Sequence, residues 1–167
     1  MIDQKELPVF AQDFLSYMET IKNCSENTVR EYFYDLRMFL RFLDVHKNGC
    51  RLPFDEIAVD RLSIEVIRST TLSDLYAYMT FLSRSRGMSS RSRARKAAAV
   101  KSFFKFMLTK SKVIDTNPAQ ELEAPKLSKD LPRYLSLDEA KKLLSSIDGR
   151  YRTRDFAIIV ILLNCGL

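Results

Sequence analysis

Apolar residues recur at three- and four-residue intervals along most of this chain, and only four glycines and five prolines interrupt them. That spacing is the mark of amphipathic helices, and a chain so poor in turn residues is a poor candidate for an all-β fold. Leu7, Phe10, Phe14, Leu15, Met18 and Ile21 define a first helix of roughly four turns. Asn23-Cys24-Ser25 breaks it, and Ser25 or Asn27 caps a second helix running to about His46. There Val29, Leu36, Leu40 and Leu43 share one face, flanked by Tyr32, Phe33 and Phe39, while Arg30, Tyr34, Arg37 and Arg41 take the other. A loop with Gly49 and Pro53 follows. Residues 55–70 read as a helical turn near Val59–Leu62 and then an extended piece.

A third helix spans about Leu72 to Arg84, with Leu75, Tyr76, Met79 and Leu82 inward, and Arg86-Gly87-Met88 ends it. Ser89 or Ser90 opens a fourth, which continues to about Lys110. From Val113 to Arg133 the texture changes. Asn117-Pro118, Pro125 and Pro132 punctuate a polar stretch that reads as a linker with one short turn near Ala119–Leu122. Two more helical patterns follow: Leu137–Ile147, with Ser136 and Glu139 as a capping box, and Phe156–Asn164, opened by Thr153 or Asp155. The expected class is all-α.

Hydrophobic residues at 46% and charged residues at 29% exclude a disordered chain. The longest apolar run, Phe156 to Leu163, is too short to span a bilayer, which needs ~20 residues, and the first ten residues lack the pattern of a signal peptide. Cys24, Cys50 and Cys165 are odd in number and widely spaced, so reduced thiols are expected rather than a metal site. These features imply a cytoplasmic protein without membrane or metal partners.

The net charge of +6 is unevenly placed. Between Asp74 and Asp115 there is no acidic residue, and that window holds ten lysines and arginines, leaving −4 for everything else. On a helical wheel of the fourth helix, Val100, Phe104 and Met107 point inward. Arg91, Arg95, Ser102 and Lys105 point outward, with Lys101 at the boundary, and Ala97, Ala98 and Ala99 keep the middle slim. A solvated helix face is the plainer reading of such charges. Solvated faces usually mix signs, however, because acid–base pairs one turn apart stabilise a helix. Uncompensated like charge points to an external polyanion, and Ser89 and Ser90 would add a helix N-terminus for a phosphate. Arg37 and its neighbours on the second helix extend the patch, although Glu31 and Asp35 offset it. Tyr32 and Phe33 read as core rather than as stacking platforms.

The chain also resembles the tyrosine recombinase and phage integrase family, most closely its Xer-type members. The resemblance begins at Ser25-Glu26-Asn27-Thr28, with Tyr32, Asp35-Leu36 and Phe39-Leu40, and resumes from Ser89 to Met107 through Ala99-Val100-Lys101-Ser102-Phe103-Phe104-Lys105-Phe106. It continues in Asn117-Pro118-Ala119, Leu122, Pro125-Lys126, Leu131-Pro132, Leu135-Ser136, Glu139 and Leu143-Leu144, and finishes with Arg154-Asp155-Phe156-Ala157 and Gly166-Leu167. It implies a SAM-like four-helix orthogonal bundle, a core-binding domain over residues 1–112 that forms one jaw of a clamp around double-stranded DNA. An interdomain linker at 113–133 and the start of a catalytic domain at 134–167 would follow. By the same resemblance, a tyrosine attacks a DNA phosphate in the catalytic domain, with arginines and His or Lys residues stabilising the transition state and no cofactor. Full-length members would work with other recombinase subunits in a synaptic tetramer.

The family's first catalytic arginine follows a Gly-Leu pair, and this chain stops at Gly166-Leu167, so the chain alone is expected not to cleave DNA. None of its seven tyrosines matches the nucleophile's motif. His46, the only histidine, is expected in a solvated loop after the second helix. The residues expected to contact DNA are Asn27, Thr28, Tyr32, Arg37, Ser90, Arg91, Arg93, Arg95, Lys101 and Lys105. Phe33 and Tyr34 depart from the basic residues that relatives often carry after the tyrosine. Sequence preference is expected to be weak, since phosphate contacts position a protein without reading bases. The competing reading is a helical protein-interaction module, or a decoy that pairs with full-length recombinase.

Overall fold

The computed structural model describes residues 3–126 and 134–165, which are helix, turn and loop with no strand among them. The chain divides into two compact units, Met1–Leu127 and Ser128–Leu167.

The first unit holds α1 (Val9–Thr20), α2 (Glu26–Asn48), α3 (Ile64–Arg68), α4 (Leu72–Arg84) and α5 (Ser90–Thr109). Its helix starts are set by hydroxyl caps. Ser25 accepts from the Thr28 amide at 3.3 Å, Thr71 and Asp74 form a reciprocal capping box, and Ser89 accepts from the Ser92 amide at 3.2 Å. α2 stops where Gly49 takes φ +69°, the left-handed region that a side chain resists.

α2 is the centre of the unit and packs against α1, α3, α4 and α5. Its stripe of Val29, Phe33, Leu36, Phe39, Leu40 and Leu43 is buried. Phe14 of α1 meets Phe103 of α5 edge-on at 5.7 Å, and Phe39 meets Tyr78 of α4 at 5.1 Å. Each such side chain contributes about 1.5–3 kcal/mol on burial, which makes tertiary packing the main source of helix stability here. The Tyr78 hydroxyl lies in this core with no hydrogen-bond partner among the described residues.

Several local expectations need correction. The first helix begins later than expected, at Val9 behind the N-cap Pro8, and a 3-10 turn at Gln4–Glu6 precedes it. The Phe54–Glu56 segment is a 3-10 turn, and the piece expected to be extended contains α3 instead, capped by Ser63, with Val66 and Ile67 buried. On α4 it is Tyr78 that points inward beside Leu75 and Leu82, while Tyr76 is largely exposed. Position 78 falls three residues after Leu75 and four before Leu82, whereas Tyr76 lies about 100° off that stripe. His46 is not in a loop. It sits in the last turn of α2, stacked on Phe42, with Nε2 3.2 Å from Asp74.

The stretch that begins at Val113 is, up to Lys126, folded onto the first unit. Ile114, Ala119 and Leu122 are buried in the same core. Arg68 donates to the Val113 carbonyl at 3.2 Å, Lys101 donates to the Leu122 carbonyl at 2.9 Å, and Asn117 caps the turn at Ala119. The remainder of the expected linker, including Leu131-Pro132, lies outside the described residues, as does Gly166-Leu167.

The second unit contains α6 (Leu137–Ser145) and α7 (Arg152–Cys165). Ser136 and Glu139 close the expected capping box, and the amide and hydroxyl of Ser136 hold the Glu139 carboxyl below its usual range. Neither helix buries a residue, and Phe156, Ile158 and Ile161 of α7 remain about half exposed.

Candidate nucleic-acid interface

The outward edges of α2 and α5 enclose a groove of about 390 Å³, lined by Asn27, Thr28, Glu31, Tyr32, Asp35, Arg95, Ala98 and Ala99. Asn27 and Thr28 stand in the first turn of α2, placed there by the Ser25 cap. Tyr32 follows one turn on. It is half-buried, meets Phe14 edge-on at 5.6 Å and shows its remaining surface to the groove. Ala98 and Ala99 are the small residues that keep α5 slim, and they make the opposite wall.

The electrostatics of the groove rest on Asp35, whose side chain is 2% exposed. Lys96 Nζ lies 2.7 Å from Asp35 Oδ1, and Arg95 Nη1 lies 2.7 Å from Oδ2 and 2.8 Å from Glu31 Oε2. Burial raises the Asp35 pKa above the ordinary carboxylate value, against the opposing pull of Lys96 and Arg95. A buried carboxylate in this position needs its two cations, and it fixes where both of them lie.

The structure sorts the ten expected contact residues into two groups. Asn27, Thr28, Tyr32 and Arg95 converge on the groove, although Tyr32 and Arg95 are far apart in sequence. Arg91 and Lys105 are exposed on the same edge of α5 as Arg95, within about 40° of it or of each other on the helical wheel. The other four turn elsewhere. Arg93 projects about 200° from Arg91 and lines a depression with Tyr76, Met79, Thr80, Ser83 and Arg84. Ser90 is its partner, accepting from Arg93 Nη2 at 3.2 Å. Lys101 lies beside Glu121 and Glu123, its amine given to the Leu122 carbonyl. Arg37 pairs with Glu6 and lies over the rings of Phe33 and Tyr34, each 5.2 Å away.

The expectation that the basic window lacks acidic neighbours is therefore only half right. It holds along the chain and fails in space. Asp35 and Glu31 of α2 compensate Lys96 and Arg95, and Asp55 lies 3.4 Å from Arg86. The role of Asp35 was missed at the sequence level. One signal was present: Lys96 falls on the inward stripe of α5, near Val100 and Phe103, where a buried ammonium demands a counter-charge.

Comparison with known proteins agrees with this architecture. The model of the phage integrase N-terminal SAM-like domain matches residues 10–112. Tyrosine recombinase XerC of Caldanaerobacter subterraneus subsp. tengcongensis is 48% identical over 96% of this chain and 46% of its own length. Tyrosine recombinase XerD of Listeria monocytogenes serotype 4b is 34% identical over 93% of this chain and 48% of its own length. Tyrosine recombinase XerC of Chlorobaculum parvum is 30% identical over 93% and 48%, respectively. The chain thus spans about half the length of the curated relatives it matches. No solved structure gives a significant match.

Proposed function

Because the chain belongs to the phage integrase N-terminal SAM-like domain family and is similar to Xer tyrosine recombinases, we propose that its first unit grips duplex DNA through the shared edge of α2 and α5. The observation that carries this reading is the convergence of Asn27, Thr28, Tyr32 and Arg95 on one groove, with Arg91 and Lys105 exposed on the same edge of α5. Arg91 and Lys105 lie about 21 Å apart along the helix axis at ~1.5 Å per residue. That span reaches across a major groove about 12 Å wide, so the two cations meet phosphates on its two sides while the residues between them face base edges.

Gripping is the role assigned to this chain, and strand exchange belongs to the longer recombinase, acting with further subunits. On this reading a nicked duplex incubated with the chain should yield no covalent adduct.

Arg91→Ala with Lys105→Ala tests the grip without touching the Asp35 pairs. Titrations of a mixed-sequence duplex should show weaker binding and a salt slope shallower by about 1.8, at ~0.9 for each phosphate no longer neutralised. An unchanged affinity and slope would show that this edge does not face DNA. Charge reversal of Arg91, Arg95 and Lys101 together is a less clean test. Arg95→Glu would set a third carboxylate against Glu31 and Asp35, and Lys101 holds the Leu122 carbonyl.

A further inference from the structure

Arg95 is held in a way that suits reading a base better than clamping a phosphate. Both of its carboxylate partners meet one nitrogen, Nη1: Asp35 Oδ2 at 2.7 Å and Glu31 Oε2 at 2.8 Å. Nη2 and Nε have no acceptor among the described residues. The Asp35 contact is a hydrogen bond and the Glu31 contact an ion pair, and on a planar guanidinium the two together restrict the direction in which the remaining N–H groups point. Asp35 is itself immobilised, buried and bonded through its other oxygen to Lys96 at 2.7 Å. Glu31 and Asp35 also cancel the charges of Arg95 and Lys96. The charges of Glu31, Asp35, Arg95 and Lys96 thus balance within the groove, in contrast to Arg91 and Lys105 on the same helix, for which no acidic partner is found among the described residues.

We propose that Arg95 is a specificity-determining residue that donates to the major-groove edge of a guanine, at O6 and N7, with Glu31 and Asp35 as its positioning carboxylates. Paired N–H donors on a rigid fork match the two acceptors of that edge. The ring of Tyr32 with Ala98 and Ala99 gives the wall a flat apolar surface that suits a base pair, the Tyr32 hydroxyl being its one polar group. Asn27 and Thr28 stand at the same mouth, where a neighbouring base edge would meet an amide and a hydroxyl. The inference rests on the DNA-gripping reading and departs from the expectation of weak sequence preference, since it assigns base reading to the one α5 arginine fastened by carboxylates.

The test is selection of a random duplex pool by the full 167-residue chain and by Arg95→Lys, which keeps the charge and removes the fork. The parent should enrich one guanine at a fixed position. Arg95→Lys should lose that preference, about five- to a hundredfold in discrimination, while its salt slope on mixed-sequence duplex stays the same. Replacing the selected guanine by 7-deazaguanine should weaken the parent and leave Arg95→Lys unaffected, and the parent's response is measurable even if the variant folds poorly. Retained preference in a folded Arg95→Lys, or indifference of the parent to 7-deazaguanine, overturns the guanine assignment. Loss of salt slope in Arg95→Lys overturns it too, in favour of a phosphate partner. If the parent binds no duplex, the gripping reading falls as well. Weakened binding in the Arg91→Ala/Lys105→Ala variant, beside an unaltered base preference in Arg95→Lys, sinks only the assignment of Arg95.

Discussion

Asp35 holds two cations of different fate, one sealed in the core and one half exposed at the groove. The sealed partner, Lys96, has its side chain 7% exposed and carries a structural charge. Lys96→Met would leave a buried carboxylate with only the partly solvated Arg95, and a loss of about 3 kcal/mol is expected in urea unfolding. Adding Asp35→Leu should restore most of it, because an apolar pair of similar volume needs no counter-charge. Asp74 carries a stabilisation that depends on pH. Burial works against its ionisation, but hydrogen bonds from Lys47 and from the amide and hydroxyl of Thr71 prevail and bring its pKa down to about 2. Its unfolded value is higher, so the unfolded chain binds more protons as pH falls, and the stabilisation present above pH ~5 is lost on the way down to pH ~2. Asp74→Asn should remove up to about 2 kcal/mol at pH 7 and flatten the acid limb of the urea midpoint against pH.

Among the elements, the hydroxyl caps were the most legible part of the sequence, although α7 begins at Arg152, ahead of the Thr153 or Asp155 expected to open it. Ser25, Ser89 and Ser136 cap where their chemistry says they should, and Gly49 ends α2 with φ +69°. Gly49→Ala would force a Cβ into that left-handed conformation, and thermal melts should show a loss of about 1 kcal/mol. The five-residue α3 was illegible because so short a helix has too few turns to show a period, and its stability comes from burying Val66 and Ile67 rather than from propensity. The segment at 113–126 misled for a related reason. Its prolines and polar residues suggest a linker, while three scattered apolar residues dock it and Lys101 pins its Leu122 carbonyl. Lys101→Met should therefore speed hydrogen exchange and proteolytic cleavage around residues 119–126, with the helices of the first unit protected as before.

For the whole molecule, the basic window showed correctly that positive charge collects near α5, but one dimension could not tell which charges α2 neutralises. Pairing across some sixty residues is a property of the bundle. Of the ten expected contacts, the groove gathers four and the exposed edge of α5 two more, and the four turned away are fixed by helical phase or by partners of their own. The second unit leaves apolar side chains of α7 exposed, Ile161 at 56% among them. Charging that face with Ile158→Lys and Ile161→Lys should lower any concentration-dependent mass in sedimentation without altering duplex affinity, since the grip is assigned to the first unit. If DNA lies along the α2–α5 edge, amide chemical-shift mapping of the labelled chain with a short duplex will trace it there. Shifts should concentrate at residues 25–32 and along 91–105 on the exposed side of α5, with little change around Arg93, Lys101 and Arg37. Shifts centred instead on the Arg84–Arg93 depression, or on the face that carries Arg37 and Arg41, would contradict that placement.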